Sequence, residues 1–193
     1  MRTQFTPREI AELSGAPKSA VEKAIEEKVF TAKRVRRGRR ERRVLPAHAV
    51  AYVRIVRSVK YRMDPAMKRR LAAALSRLGR HELRTWRFEL EPAVEMDVGR
   101  LVGDAMDRAA AYGAARERLI VEDEDVLGGT PVIRGTRISV YSILGRIADG
   151  DTVADILSDY PELTAEAVEA AAIFARSHPL VGRPAGRPWS TAA

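Results

Sequence analysis

The chain has 193 residues, of which 46% are apolar, and it carries a formal net charge of +8 and no cysteine. The lack of cysteine excludes disulfides, thiolate zinc sites and a thiol nucleophile. The sequence opens without a secretory signal pattern and has no apolar run long enough to span a bilayer, which predicts a cytoplasmic protein with no membrane partner.

The first predicted elements are two short helices joined by a tight turn. Thr6 and Glu9 have the spacing of a capping box at the start of the first helix. Gly15 can adopt the positive φ of a sharp turn, and a second helix is predicted from Lys18 to about Lys28. The small residue, glycine and β-branched residue that a helix-turn-helix requires are supplied by Ala11, Gly15 and Val21.

A strongly basic β-hairpin is predicted next, over about residues 29–45. Eight of the eleven residues from Lys33 to Arg43 are cationic and one is a carboxylate. Their mutual repulsion favours a polyanionic partner such as the phosphate backbone of DNA, and the alternative is a solvated or disordered loop. With this hairpin as a wing, residues 4–57 resemble a winged helix-turn-helix domain, loosely similar to that of MerR-type regulators.

This resemblance implies that the start of the second helix enters the major groove while the hairpin contacts phosphates. Glu22 could accept a hydrogen bond from a cytosine amino group. The predicted DNA-binding residues are Lys18, Ser19, Glu22, Lys23, Lys33, Arg34, Arg36, Arg37, Arg39, Arg40, Arg42 and Arg43.

After a third helix from Pro46 to about Lys60, residues 61–117 are predicted to form a connecting or dimerisation region. It begins with a helix that is capped by Asp64 and ends at Gly79. One or two strands with core aromatic residues follow over residues 84–98, and then a helix from about Arg100 that ends at Gly113. The leucines at 71, 75 and 78 suit a dimer interface, whereas the basic residues of the same helix suit further phosphate contacts; both roles stay open.

The second half of the chain is acidic, because residues 91–193 hold 10 Lys and Arg against 17 Asp and Glu, whereas residues 1–90 hold 24 against 9. This difference predicts two surfaces with different partners, the alternative being an unevenly charged solvated surface. A short strand is predicted at residues 119–121. The helices that follow are predicted from Val140 to Ala148, from Thr152 to Ser158 with Asp151 as cap, and from Ala165 to Arg176 with Thr164 as cap.

Residues 118–184 contain three long sequence motifs: a glycine-rich loop at Gly128–Ile138, a turn at Asp159–Thr164 and a C-terminal motif at Ala175–Pro184. They resemble the domain-of-unknown-function 433 family, although Ser139 stands where that family often has a proline. The resemblance implies a small homeodomain-like helical domain and a VapB-like antitoxin whose partner is a PIN-like ribonuclease toxin. The residues predicted to bind this toxin are Arg134, Arg137, Tyr160, Arg183 and Arg187.

Taken together, the sequence predicts a mainly α protein with short β-hairpins, of the α+β class. Its predicted parts are a winged helix-turn-helix domain over 1–60, the connecting region over 61–117, the antitoxin-type domain over 118–184 and a flexible tail over 185–193. We expect a homodimeric antitoxin that binds its toxin and represses its own operon by binding operator DNA.

Two alternatives to the antitoxin are a stand-alone transcriptional regulator with a ligand-sensing or dimerising C-terminal domain and, more weakly, an RNA-processing enzyme. The three histidines lie far apart and are predicted to be caps or surface groups. No nucleotide-binding glycine motif and no nucleophile elbow occurs, so the prediction is a non-enzyme without metal or cofactor.

Overall fold

The computed structural model describes residues 3–37 and 40–180. Its first part consists of two helices, a small antiparallel sheet and a third helix. The elements are β1 (Gln4–Phe5), α1 (Pro7–Ser14), α2 (Lys18–Glu26), β2 (Lys33–Arg37), β3 (Arg40–Pro46) and α3 (His48–Ser58). The sheet has the order β1-β3-β2, and β2 and β3 form the predicted hairpin.

The start of α1 confirms the predicted capping box. The Glu9 N–H donates to Thr6 Oγ1 at 3.2 Å, and the Thr6 N–H donates to Glu9 Oε2 at 2.7 Å. Gly15 ends α1 with φ at 69°, as the predicted turn requires. Helix α2 is shorter than predicted, because it ends at Glu26 and Lys28 already has a positive φ.

The middle part contains a long helix that was predicted too short. The elements are α4 (Pro65–Leu75), α5 (Arg80–Leu83), β4 (Arg87–Glu91), β5 (Val94–Asp97) and α6 (Val98–Leu119). The prediction that Gly113 ends this helix was wrong. A Cβ at Gly113 would lie 2.7 Å from Thr3 Cγ2 and 3.3 Å from Phe5 Cζ, so the glycine permits close approach of β1 to α6.

The leucines of α4 pack within the chain. Leu71 and Leu75 are buried and Leu78 is half-buried, all in contact with the core. This burial removes Leu71 and Leu75 from any dimer interface, which was one of the two roles predicted for this helix. The predicted cap of α4 is confirmed, because Asp64 Oδ1 accepts from the Met67 N–H at 2.7 Å.

The last part is a group of three helices preceded by a two-stranded sheet. The elements are β6 (Ile120–Val121), β7 (Val132–Ile133), α7 (Val140–Ala148), α8 (Val153–Asp159) and α9 (Ala165–Ser177). Thr164 caps α9 as predicted. The predicted cap of α8 was wrong: Thr152 occupies that position, and Asp151 pairs instead with Arg146 at 2.5 Å.

One hydrophobic core extends through all of these parts. It contains Phe5 from β1, Ile10 from α1, Leu71 from α4, Tyr112 from α6 and Phe174 from α9. Helix α6 contacts α1, α3 and α9, and it runs without a break across residue 117, the predicted domain boundary. The described part is therefore a mixed α/β structure dominated by helices, with α6 at its centre. Among the described residues, no helix combines the length and apolarity that crossing a membrane would take.

Candidate nucleic-acid interface

The two faces of the β2–β3 hairpin have different surroundings. Residues paired across the strands point to the same face, because side chains alternate along each strand. Arg34 pairs with Arg43 in register, whereas Val35 pairs with Arg42. We name the face that carries Arg34 and Arg43 the outer face and the one that carries Val35 and Arg42 the inner face.

On the inner face, Arg42 is held by the C-terminal part of the chain. Its Nη2 donates to both carboxylate oxygens of Glu122, at 2.9 and 3.1 Å. Its guanidinium lies 5.9 Å from the centre of the Phe174 ring, and only 13% of its side chain is exposed. With a carboxylate already bound and so little of its side chain exposed, Arg42 is poorly placed to bind a phosphate, so we leave it out of the interface.

On the outer face, the hairpin is joined to α2. Arg43 Nη2 donates to both oxygens of Glu22 at 2.8 and 2.9 Å, and Lys18 Nζ lies 3.3 Å from the same carboxylate. Arg34 pairs with Glu41 at 3.3 Å, with most of both side chains exposed. Exposed ion pairs of this kind contribute at most about 1 kcal/mol each, so a phosphate can replace the carboxylate.

Four of the remaining predicted DNA-binding residues are exposed in the described part of the chain. Ser19 is exposed in the first turn of α2, and Lys23 is exposed one turn later, 4.0 Å from Glu27. Lys33 and Arg36 are exposed on β2. The side chains of Arg37 and Arg40, and Arg39 as a whole, lie outside the described part of the chain. The structure thus brings the exposed start of α2 and the outer face into one cationic surface.

Helix α1, which supports α2, is fixed by a buried ion pair that the sequence analysis missed. Arg116 Nη1 donates to Glu9 Oε1 at 2.6 Å, and the Tyr112 hydroxyl donates to the same oxygen at 2.7 Å. The side chains of Glu9 and Arg116 are 1% and 4% exposed. Glu9 therefore caps α1 with one oxygen and binds α6 with the other.

The electrostatics of this pair favour its charged form. Burial raises the pKa of Glu9. The charges of Arg116 and His178 and the hydrogen bonds from Thr6 and Tyr112 lower this pKa by more than burial raises it, so it falls below 4.5. Burial and the Glu9 charge raise the pKa of Tyr112 well above its usual value. A signal for Arg116 exists in the sequence, because it continues the apolar stripe of α6 formed by Val98, Val102, Ala105, Ala109 and Tyr112.

Two further contacts join α1 to the rest of the chain. Glu12 Oε1 accepts from Arg108 of α6 at 3.3 Å and from Arg176 of α9 at 2.8 Å.

At the C-terminal end of α9, His178 stacks on Phe174 with ring centres 4.2 Å apart, and burial lowers the pKa of His178 below 6.5. His178 is thus a half-buried C-cap of α9 rather than a surface imidazole.

The three predicted toxin-binding residues that the structure describes have different surroundings. Arg134 Nε donates to the Arg118 carbonyl oxygen at 2.7 Å and so supports its loop. Arg137 is exposed, and Tyr160 lies half-buried with the Arg146 guanidinium 5.5 Å from its ring centre. Arg183 and Arg187 fall outside the described residues.

The loop before β7 has an unusual backbone and an exposed apolar side chain. Leu127 is 43% exposed and has φ at 48°, a region that disfavours residues with a Cβ. Gly128 and Gly129 follow with φ at 61° and 79°. The exposed carboxylates that precede this side chain are Asp123, Glu124 and Asp125. Within the described residues, no group of three or more His, Asp or Glu could hold a metal ion.

Residues 120–175 match the protein family described as "Protein of unknown function (DUF433)". An uncharacterized protein, y4eO, of Sinorhizobium fredii is 43% identical over 79 residues, which are 41% of this chain and 35% of that protein. The chain therefore spans well under half the length of this relative. No solved structure matches the chain.

Proposed function

We propose that this chain is a DNA-binding antitoxin that contacts DNA as a winged helix-turn-helix protein and a PIN-like ribonuclease toxin through its C-terminal part. The observation that carries the DNA-binding proposal is the joint between α2 and the hairpin, where Arg43 and Lys18 share Glu22. This joint sets a potential major-groove helix with exposed lysines beside potential phosphate-binding strands with exposed arginines.

In the proposed complex the start of α2 lies in the major groove and the outer face follows the phosphate backbone. Ser19 and Lys23 contact base edges, and Arg34, Arg36 and Arg43 contact phosphates. Because Glu22 holds Arg43 and Lys18, phosphates must replace this carboxylate before either cation binds DNA. This exchange is most favourable at DNA sites where a base, such as a cytosine through its amino group, can donate a hydrogen bond to the released Glu22 carboxylate.

The test is DNA binding by the full chain, measured by fluorescence anisotropy with a duplex from upstream of its coding sequence and with a scrambled duplex of equal length. We expect Ser19→Ala and Lys23→Ala to reduce the preference for the first duplex. Lys60→Ala, an exposed cation outside this surface, should leave the preference unchanged. Equal affinity of the unaltered chain for both duplexes would contradict sequence-specific binding.

The antitoxin part of the proposal rests on the resemblance of residues 118–184 and on the loop that carries Leu127. An exposed apolar side chain next to carboxylates suits a basic protein surface with an apolar pocket, because the leucine fills the pocket and the acids pair at the rim. A nuclease that binds RNA presents such a basic surface. Arg137, which is exposed in the segment after β7, is a further contact candidate, and the role of the tail residues Arg183 and Arg187 stays a prediction.

The test of the antitoxin is co-expression with the product of the adjacent gene, followed by co-purification and a ribonuclease assay. We expect a complex in which Leu127→Asp lowers affinity at least tenfold, while Leu180→Asp, at another exposed leucine, does not. If no neighbouring product binds, the stand-alone regulator becomes the better account and the DNA-binding result above is unaffected.

A further inference from the structure

A cavity of about 560 Å³ lies between β1, the start of α3, the end of α4, α5 and α6. None of the predicted DNA-binding or toxin-binding residues lines it. Its volume is in the range of small-molecule sites, which run from roughly 300 to 1,000 Å³. The cavity is therefore large enough for a ligand and is separate from the interfaces described above.

The floor of the cavity is apolar. Phe5, Leu75 and Leu83 form it, and each is buried in the core. Leu78 and Met106 are half-buried and complete the walls. Apolar surface of this kind gains free energy when an alkyl or aryl group displaces water from it, whereas a small inorganic ion gains nothing there.

The rim of the cavity is cationic. Arg77 and Arg80 lie on either side of Gly79, both are exposed, and neither side chain makes a hydrogen bond or ion pair with another described residue. No aspartate or glutamate is among the lining residues. The nearby carboxylate of Glu82 accepts from the Gly79 N–H at 2.6 Å, which caps α5.

The other cavities beside the helix-turn-helix differ in this respect. The one between α2 and α3 includes Glu27, which pairs with Lys68, and the one beside α1 includes Glu12, which pairs with Arg176. Each of these two cavities therefore has a carboxylate in its lining that pairs with a cation, whereas the described lining of the α4–α6 cavity has none. An anionic group is thus the complement that this cavity lacks.

We propose that this cavity binds an anionic amphipathic small molecule. Its alkyl or aryl body lies on Phe5, Leu75 and Leu83, and its carboxylate or sulfonate group contacts Arg77 and Arg80. This inference goes beyond the proposed function and does not depend on it. It also gives a role to two basic residues that are absent from the DNA-binding surface.

The experiment uses the full chain and the probe 1-anilinonaphthalene-8-sulfonate, whose fluorescence rises when its rings enter an apolar site. We expect saturable binding of one probe per chain, displaced by octanoate but not by acetate or, at equal concentration, by 1-octanol. Displacement by 1-octanol as strong as by octanoate would overturn the anionic character of the ligand.

Two variants test the site itself. Arg77→Gln/Arg80→Gln should weaken probe binding at least tenfold, and Ala110→Leu, which fills the cavity from α6, should abolish it. Arg57→Gln/Arg62→Gln removes two exposed arginines elsewhere and should change nothing, and far-UV circular dichroism verifies that each variant folds. Unchanged probe binding in the Arg77/Arg80 variant would overturn the proposal, and a loss of DNA affinity in that variant alone would assign the two arginines to DNA.

Discussion

Helices α1 and α2 are neighbours joined by the turn at Gly15, yet their polar side chains have opposite surroundings. In α1, Glu9 is buried against Arg116, and Glu12 pairs with cations of α6 and α9. In α2, Lys18 and Ser19 are exposed to solvent. Helix α1 is thus fixed to the rest of the chain, so that α2, which packs on it, can present its side chains in a defined position.

The hairpin repeats this division on its two faces. Arg42 on the inner face is paired with Glu122 near the ring of Phe174, and Arg34 on the outer face is exposed. Charge alone does not separate the two arginines, since both belong to the same basic run. Their burial and their partners do.

The largest effect is expected from Arg116→Met, which leaves the Glu9 carboxylate buried without its partner. Breaking a buried pair on one side costs about 3–5 kcal/mol, so the free energy of unfolding in urea should fall by that amount. Arg108→Met, which removes an exposed pair with Glu12, should cost about 1 kcal/mol or less. Equal losses in the two variants would contradict the claim that the buried pair holds α1 more strongly than the exposed one.

The buried pair also predicts a pH dependence. The pKa of Glu9 is lowered below 4.5 in the folded chain, so its charged form contributes stability that is complete above pH 4.5. That contribution is lost as the pH falls through the lowered pKa. Glu9→Gln should therefore show a smaller loss of unfolding free energy than the unaltered chain between pH 6 and pH 3. The same loss in both proteins would show that Glu9 is not the group responsible.

A smaller effect on the same framework is expected at the start of α6. A Cβ at Gly99 would lie 1.9 Å from the Arg84 carbonyl oxygen, whereas a Cβ at Gly103 would meet nothing within 4 Å. Gly99→Ala should destabilise by about 1–3 kcal/mol because backbone must move. Gly103→Ala should stabilise by up to about 1 kcal/mol through helix propensity. Thermal unfolding followed by circular dichroism measures both, and changes of the same sign would contradict this account.

The smallest effect is expected at the joint of α2 and the hairpin. Glu22→Gln releases Arg43 and Lys18 for phosphates, so affinity for a scrambled duplex should rise severalfold and its salt dependence should steepen. Glu26→Gln, at another exposed glutamate of α2, serves as the control for the change in net charge. An equal rise in both variants would mean that Glu22 does not restrain these cations.

The sequence predicted the local features of the fold well. The capping box of Thr6 and Glu9, the cap at Asp64 and the hairpin of β2 and β3 depend on residues close together in the chain, and all three are confirmed. The role of Gly113 was predicted wrongly, because the sequence does not distinguish a glycine that ends a helix from one that lets a strand pass close to the helix. Only the contact with Thr3 shows that Gly113 is of the second kind.

The site was predicted as one basic set, and the structure divides it. The alternation of side chains along the strands could have placed Arg42 and Arg34 on different faces. It could not have shown which face is covered, because Glu122, the partner of Arg42, is 80 residues away in the chain. The pair of Glu9 and Arg116 spans 107 residues, and Glu9 already had a sufficient local explanation as a cap. Long-range partners of this kind follow from tertiary packing and carry no local pattern.

The most direct test of the central claim compares Arg34→Gln with Arg42→Gln. Each removes one charge from the same hairpin, and each is assayed for DNA affinity over a range of salt concentrations and for unfolding temperature. We predict that Arg34→Gln lowers the salt slope by about 1 and leaves the unfolding temperature unchanged, whereas Arg42→Gln lowers the unfolding temperature and leaves the slope unchanged. Equal losses of slope in both variants would contradict the division of the hairpin into a DNA-binding outer face and a structural inner face.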